Sequence, residues 1–173
     1  MNVFKQIVRP ADGAAWVTGA SGGIGRALTL ALVDRGWTVH ATARSAEKLE
    51  ALAAERPGKI IPRPADVMDR EAMARIVAEI ASAGPLALAV LNAGIYHPMR
   101  AREFDAETAA KTFDVNLTGV ANGRDPVLKH MIGRQAGHVA VTASVAGYRG
   151  LPAASAYSAT KAGLIAMCEA LAL

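Results

Sequence analysis

A single cysteine, Cys168, stands among the 173 residues, so no disulfide can close within the chain. A lone cysteine fits a reducing compartment, and a cytoplasmic protein is the expectation. The apolar segment around it (Ala166-Met167-Cys168) assigns Cys168 to core packing rather than to reactivity. Aromatic residues make up 5% of the chain, too few for a base-stacking platform. The basic residues are scattered, with no block of five, although the net charge is +4. Together these argue against a nucleic-acid partner. No uninterrupted apolar run approaches the ~20 residues of a membrane span, and the N-terminal stretch with Lys5 and Arg9 has no signal-peptide core, so no membrane association is expected. The four histidines and the cysteine show no ligand spacing, which leaves no reason to expect a metal. What remains is a chain 52% apolar and 20% charged, long enough for one core, and read as one domain over residues 1–173. Its modest basic surplus favours an anionic ligand.

Strand and helix patterns alternate from end to end. The candidate strands are Ala14–Thr18, Thr38–Thr42, Lys59–Pro62, Leu86–Leu91 and Val139–Thr142. Between them come helical patterns: Ile24 to Arg35 stopped by Gly36, a helix capped by Ser45 through Glu55, and one capped by Asp69 through Ala83. This alternation predicts a doubly wound α/β fold, a parallel sheet with helices on both faces. Leu86–Leu91 is apolar at every position, as a strand covered on both sides requires. Glu107 to about Gln135 is mostly helical, but Gly119, Gly123 and Pro126 interrupt it, and because an interior proline costs about 3 kcal/mol a kink or fresh start is expected near Asp125-Pro126. Ser155 opens a final helix that runs to the end of the chain.

The chemistry lies at the ends of these strands. Thr18-Gly19-Ala20-Ser21-Gly22-Gly23-Ile24-Gly25 follows the first strand and opens the first helix. Gly19 allows a tight turn, Gly23 a close approach of backbone to a pyrophosphate, and Gly25 the packing of helix on strand. The helix N-terminus offers free N–H groups and positive potential to phosphates. An ordinary glycine-rich turn is the plainer reading; a nucleoside-triphosphate loop is excluded, since no Gly-Lys-Ser/Thr follows. After the second strand, Thr42-Ala43-Arg44-Ser45 lacks the acid that would bind a ribose 2′-hydroxyl. Arg44, with Ser45, suits a 2′-phosphate instead and favours NADP over NAD, unless Arg44 is simply a solvated surface residue. Asp66 and Val67, after the third strand, border the adenine, or Asp66 is only a helix-capping or loop aspartate. Tyr157 and Lys161 stand one helical turn apart. A phenol is a poor proton donor near neutrality, and an adjacent ammonium favours its ionised form.

Taken in order, the glycine turn, Asn92-Ala93-Gly94, Asn116, Ser144 and the Tyr157–Lys161 pair resemble the short-chain dehydrogenase/reductase family, in its short single-domain branch. The resemblance covers essentially the whole chain. It implies a Rossmann-like sheet of order 3-2-1-4-5 and an NADP(H)-dependent oxidoreductase interconverting a ketone or aldehyde and its alcohol. It further implies that Tyr157 is the acid/base, that Lys161 assists it and binds the nicotinamide ribose, and that Ser144 binds the substrate oxygen. Asn116 would hold a relay water, and Asn92, Ala93 and Gly94 would border the cofactor. The implied cofactor-binding set is Gly19, Ser21, Gly22, Gly23, Ile24, Gly25, Arg44, Ser45, Asp66, Val67 and the Asn92–Gly94 run, joined by Tyr157 and Lys161. Tyr96 and His97, in the loop after Gly94, either line the substrate pocket or, beside Pro98 and not required by the family, belong to a simple loop, and both are left out of the site.

Members of this family continue beyond the helix of Tyr157 with further strands and a substrate-covering segment. The chain is therefore expected to lack the last strands of the family fold, leaving Val139–Thr142 at an exposed edge. The rival reading is a truncated, non-catalytic dinucleotide-binding fragment; a nucleotide-fold methyltransferase is more distant, having no use for Tyr157 and Lys161. A small carbonyl or alcohol substrate and self-association as a dimer or tetramer follow from the resemblance alone.

Overall fold

The computed structural model describes residues 7–171. Its centre is a five-stranded sheet made of β1 (Ala14–Thr18), β2 (Val39–Thr42), β3 (Ile60–Pro62), β4 (Leu86–Leu91) and β5 (His138–Val141). All four pairings are parallel and the spatial order is β3-β2-β1-β4-β5, as expected. A bulge at the start of β4 shifts the register, so that Ala14 faces Leu86 but Ala15 faces Leu88. Strand bounds differ from the sequence reading by a residue at most.

Parallel strands need crossovers, and right-handed crossovers sort the helices onto two faces. One face carries α1 (Gly23–Asp34) and α2 (Ala46–Ala54), whose Leu32, Val33, Leu49 and Leu52 pack with Trp37 on Ala15, Val17, Val39 and Ala41. The other carries α3 (Arg70–Ala83) and α5 (Gly119–Arg134), whose Met73, Ile76, Ile80, Val127 and Met131 pack on Trp16, Leu86, Ala89 and Leu91. Period-two alternation sends Trp16 one way and its neighbours the other. The buried indole Nε1–H of Trp16 donates to Thr42 Oγ1 at 2.8 Å, so no polar group is left unpaired there. Five of the six β4 residues are buried, in keeping with their apolar run, and Leu88 is half-buried. No residue of β5 is buried, and β5 pairs only with β4 among the described residues.

The predicted caps form. Ser45 Oγ accepts from the Lys48 N–H at 3.3 Å, and Asp69 Oδ1 accepts from the Ala72 N–H at 2.8 Å.

The helix after β4 departs from expectation. Its discontinuity is not at Asp125-Pro126 but earlier, where a π turn over Asp114–Thr118 joins α4 (Ala106–Phe113) to α5. Pro126 lies inside α5, which runs on through it. Packing explains this. Burial of Val120, Val127 and Met131 at about 1.5–3 kcal/mol each outweighs the ~3 kcal/mol of one interior proline. Close approach of α5 to the sheet depends on Gly123, where a Cβ would stand 3.1 Å from Leu91 Cδ2 and 3.3 Å from Trp16 Cη2. The same helix buries Arg124 with Nε and Nη1 lacking partners among the described residues, which nothing nearby explains.

The last helix, α6 (Ser155–Leu171), begins where expected; residues 172–173, to which the sequence reading extended it, lie outside the described residues, as does Lys5. Cys168 is half-buried rather than in the core, and the last fully buried residue of α6 is Leu164. No helix among the described residues is long and apolar enough to cross a membrane, and no group of three or more potential metal ligands clusters among them.

Candidate active site

Sheet order reverses between β1 and β4, and the loops leaving the C-terminal ends of the strands diverge there to form a crevice. Gly19 turns the chain out of β1 at φ +69°, and a Cβ there would stand 2.9 Å from Ala93 Cα. Gly25 meets the carbonyl of Gly19 so closely that any side chain would collide with it and with Asn92 Nδ2. Gly22 and Gly23 are the opposite case, with no atom within 4 Å of a Cβ built on either. Gly22 is the N-cap of α1 and has no side chain to cap it. The first intrahelical bond is made by the Arg26 N–H to Gly22 O, so the N–H groups of Gly23, Ile24 and Gly25 have no partner within the helix. Open space beside unsatisfied donors at the positive end of a helix is a cradle for phosphate. The Ile24 side chain is 69% exposed and is not part of the cleft wall.

From this cradle a cleft of about 500 Å³ runs across the sheet edge. Its walls include Gly19, Ser21 and Gly22 from the first loop, Arg44 and Ser45 from the second, Asp66 and Val67 from the third, and Ala93 and Gly94 from the fourth. Four separate stretches of sequence named as candidates thus meet in one cavity. Sequence reasoning missed Lys48, Lys111 and Val115, which line it too, as does His97, which the sequence reading leaves out of the site. Lys48 lies in the first turn of α2 while Arg44 precedes the helix, and Lys111 lies in α4 with Val115 in the π turn; without the cavity, neither pair signals a ligand. The wall therefore carries Arg44, Lys48 and Lys111 against the single acid Asp66. Asp66 is also committed locally, its Oδ1 accepting from the Met68 N–H at 3.0 Å.

Beyond Gly94 the polar groups tighten into a network. Asn92 knits three strand ends together: its N–H and that of Ala93 donate to Thr18 Oγ1, its Nδ2 donates to Thr18 O, and its Oδ1 accepts from Thr142 Oγ1. Lys161, buried in α6, donates from Nζ to Thr142 O at 2.7 Å and lies 5.5 Å from the centroid of the Tyr157 ring. Burial holds its ammonium below the usual lysine range. A Cβ on Gly94 would lie 3.7 Å from Lys161 Nζ, which joins the cleft to this network. Asn116, in the π turn and fully buried, clamps Ile95 by accepting its N–H at 2.8 Å and donating to its carbonyl at 3.0 Å. The same amide donates to Thr160 Oγ1 at 3.1 Å. Ser144 is half-buried at the end of β5, its Oγ accepting from the Ala146 N–H at 3.2 Å, which leaves its hydrogen to donate elsewhere. Tyr96, left out of the site by the sequence reading, lies in the loop after Gly94 and packs its ring on Tyr157, with centroids 5.0 Å apart.

Residues 13–173 match the family model described as short chain dehydrogenase. Among curated proteins, an uncharacterised oxidoreductase of Myxococcus xanthus is 40% identical over 161 residues, covering 91% of this chain and 64% of its own length. A 3-oxoacyl-[acyl-carrier-protein] reductase FabG of Thermotoga maritima is 35% identical over 157 residues, covering 88% and 64%. Among solved structures, a short-chain dehydrogenase of Streptomyces avermitilis superimposes with a TM-score of 0.86 at 35% identity, covering 92% of this chain and 59% of that one. An actinorhodin polyketide ketoreductase with NADPH gives 0.87 at 30% identity, covering 95% and 66%. The chain thus spans just under two thirds of the length of the first curated relatives it matches.

Proposed function

This chain belongs to the short chain dehydrogenase family, and from that premise we propose that it is an NADP(H)-dependent oxidoreductase interconverting a ketone or aldehyde and the corresponding alcohol, with Tyr157 as its acid/base. The residues present fit a pyridine dinucleotide. The uncapped N–H groups of Gly23, Ile24 and Gly25 would hold the pyrophosphate, and the empty space at Gly22 and Gly23 leaves room for it. Asp66 and Val67 would border the adenine, and Asn92, Ala93 and Gly94 the inner end of the cofactor. Arg44, Ser45 and Lys48 converge where a 2′-phosphate would need cations and a helix N-terminus, and among the described residues Arg44 has no ion-pair partner. The ketoreductase with NADPH among the structural relatives is in keeping with that preference. When bound, the nicotinamide supplies or accepts the hydride.

The chain's own part is proton transfer and orientation. Tyr157 gives its hydroxyl proton to the carbonyl oxygen in reduction, or takes the alcohol's proton in the reverse direction. Lys161 favours loss of that proton by its charge, and its bond to Thr142 O fixes where the charge stands. Ser144 donates the hydrogen that its own turn does not use, which stabilises charge growing on the substrate oxygen. Asn116 holds the Ile95 loop against α6 and, in this reading, orders a relay water near Lys161. Lys161 carries the whole reading: a buried ammonium one helical turn from Tyr157, tied to a strand end and open to the cleft through Gly94.

Tyr157→Phe tests it. The variant is expected to lose about 10²–10⁴-fold in the rate of NADPH-dependent carbonyl reduction while keeping its affinity for NADPH. Turnover that survives the substitution would remove Tyr157 from the chemistry, and a protein that binds NADPH with no rate for Tyr157 to lose would be the non-catalytic binder.

A further inference from the structure

A second phenol stands in the site that the proposed chemistry does not use. Tyr96 and Tyr157 meet with ring centroids 5.0 Å apart and planes tilted by 59°, within the range in which aromatic pairs attract through their quadrupoles. Tyr96 is 51% exposed, so core packing does not account for its position.

The loop bearing it is fastened at both ends to the neighbourhood of α6. At one end, Asn116 takes both backbone groups of Ile95 and donates to Thr160 Oγ1, and Thr160 precedes Lys161 in sequence. Thr160 Oγ1 in turn donates to the carbonyl of Tyr157 at 2.7 Å. At the other end, the Met99 N–H donates to Ala153 O at 2.8 Å, and Met99 forms a bridge with Ala154, the residue before α6. Tyr96 lies between these two fastenings, one residue from the first. Such a loop has little conformational freedom left to lose when its ring takes up a fixed place.

We infer that Tyr96 is a positioning residue for Tyr157: its ring holds the Tyr157 ring in the orientation that presents the hydroxyl to substrate, and it keeps water from that side of the phenol. The inference rests on Tyr157 being the acid/base. It assigns the role to the ring of Tyr96, not to its hydroxyl, and it explains why the Asn116 amide spends both donors on tying that loop to α6.

The test compares the 173-residue chain with Tyr96→Ala, Tyr96→Phe and Tyr157→Phe by two readouts. The first is carbonyl reduction with NADPH as a function of pH. The second is the ring NMR signals of ¹³C-labelled tyrosine, of which the chain has three, assigned by single substitutions. For Tyr96→Ala, kcat is expected to fall by about five- to tenfold, the worth of one aromatic pair. The pH at half-maximal rate should move, NADPH affinity should hold, and the Tyr157 signals should lose their ring-current displacement. Tyr96→Phe should restore the wild-type rate, pH profile and signals. A Tyr96→Ala variant with unchanged Tyr157 signals would overturn the inference, with or without turnover. Tyr96→Phe as slow as Tyr96→Ala would overturn it too, by assigning the role to the hydroxyl. Full rate in Tyr157→Phe would instead sink the acid/base reading, and the NMR signals would still judge the contact between the rings.

Discussion

Arg44 stands exposed on the cleft wall with no ion-pair partner among the described residues, and Lys48 lines the same wall four residues on. An unpartnered guanidinium gains most from a ligand that brings its own anion. A charge-assisted hydrogen bond contributes about 1.5–3 kcal/mol, so Arg44→Ala is expected to weaken NADPH binding by roughly 10- to 100-fold. NADH, lacking the 2′-phosphate, should lose less than about twofold, and equal losses for the two would place Arg44 elsewhere on the ligand. His40 makes a different kind of prediction. It is a buried member of β2, and burial, with the Arg63 guanidinium beside it, lowers its pKa from 6.5 to about 4. Arg63 donates to its Nδ1 at 3.3 Å and also pairs with Glu79 at 2.8 Å. The folded chain therefore keeps His40 neutral where the unfolded chain takes up a proton. Its contribution to stability is complete above pH 6.5 and is lost as pH falls to about 4, on the order of 3 kcal/mol for such a shift. Urea midpoints at pH 7 and pH 4.5 should differ less in His40→Gln than in the wild type; an unchanged difference would assign the acid sensitivity to other groups. Residue identity made Arg44, Tyr157 and Lys161 legible in the sequence, since each has a chemistry that its spacing from a glycine turn or a partner exposes. Lys48 and Lys111 were not legible, and Tyr96 was legible only as a pocket-lining alternative. Each reaches the site only when the fold brings its loop or helix against another.

At the scale of elements, the turn between β1 and α1 divides its glycines by task. Gly25 has no room for a Cβ, whereas Gly22 has open space and an extended backbone (φ −169°) that any residue adopts. Gly25→Ala should therefore lower the melting temperature and abolish cofactor binding together, with an overpacking penalty of about 1–3 kcal/mol or more. Gly22→Ala should leave melting nearly unchanged and weaken only the binding of the dinucleotide, because its methyl fills the cradle. Calorimetry alongside NADPH titration separates the two, and a Gly22→Ala variant that binds normally would put the phosphates somewhere else. Strands and caps were readable because their signals are local: the apolar run of Leu86–Leu91, and Ser45 and Asp69 each three residues ahead of the N–H they accept. The π turn was not readable. Its position is set by tertiary demands, namely the burial of Asn116 against the Ile95 loop and of α5 against the sheet. Local propensity pointed to Pro126, and packing overrode it.

Across the whole molecule, the order β3-β2-β1-β4-β5 follows from alternating strand and helix signals and the handedness of crossovers, and it brings four loops, bearing glycines, cations, a carboxylate and an amide, to one edge. The proposed function depends on that edge acting as a unit: a phosphate cradle at α1, cations at the start of α2, and the Tyr157–Lys161 pair beyond Gly94. The measurement that probes this unit most directly is a fluorescence titration of the 173-residue chain with NADPH and, in parallel, with NADH. The account predicts saturable binding of both, tighter for NADPH by about tenfold or more, the worth of one charged phosphate contact. Equal affinity for the two, or no binding by a folded chain, would contradict it.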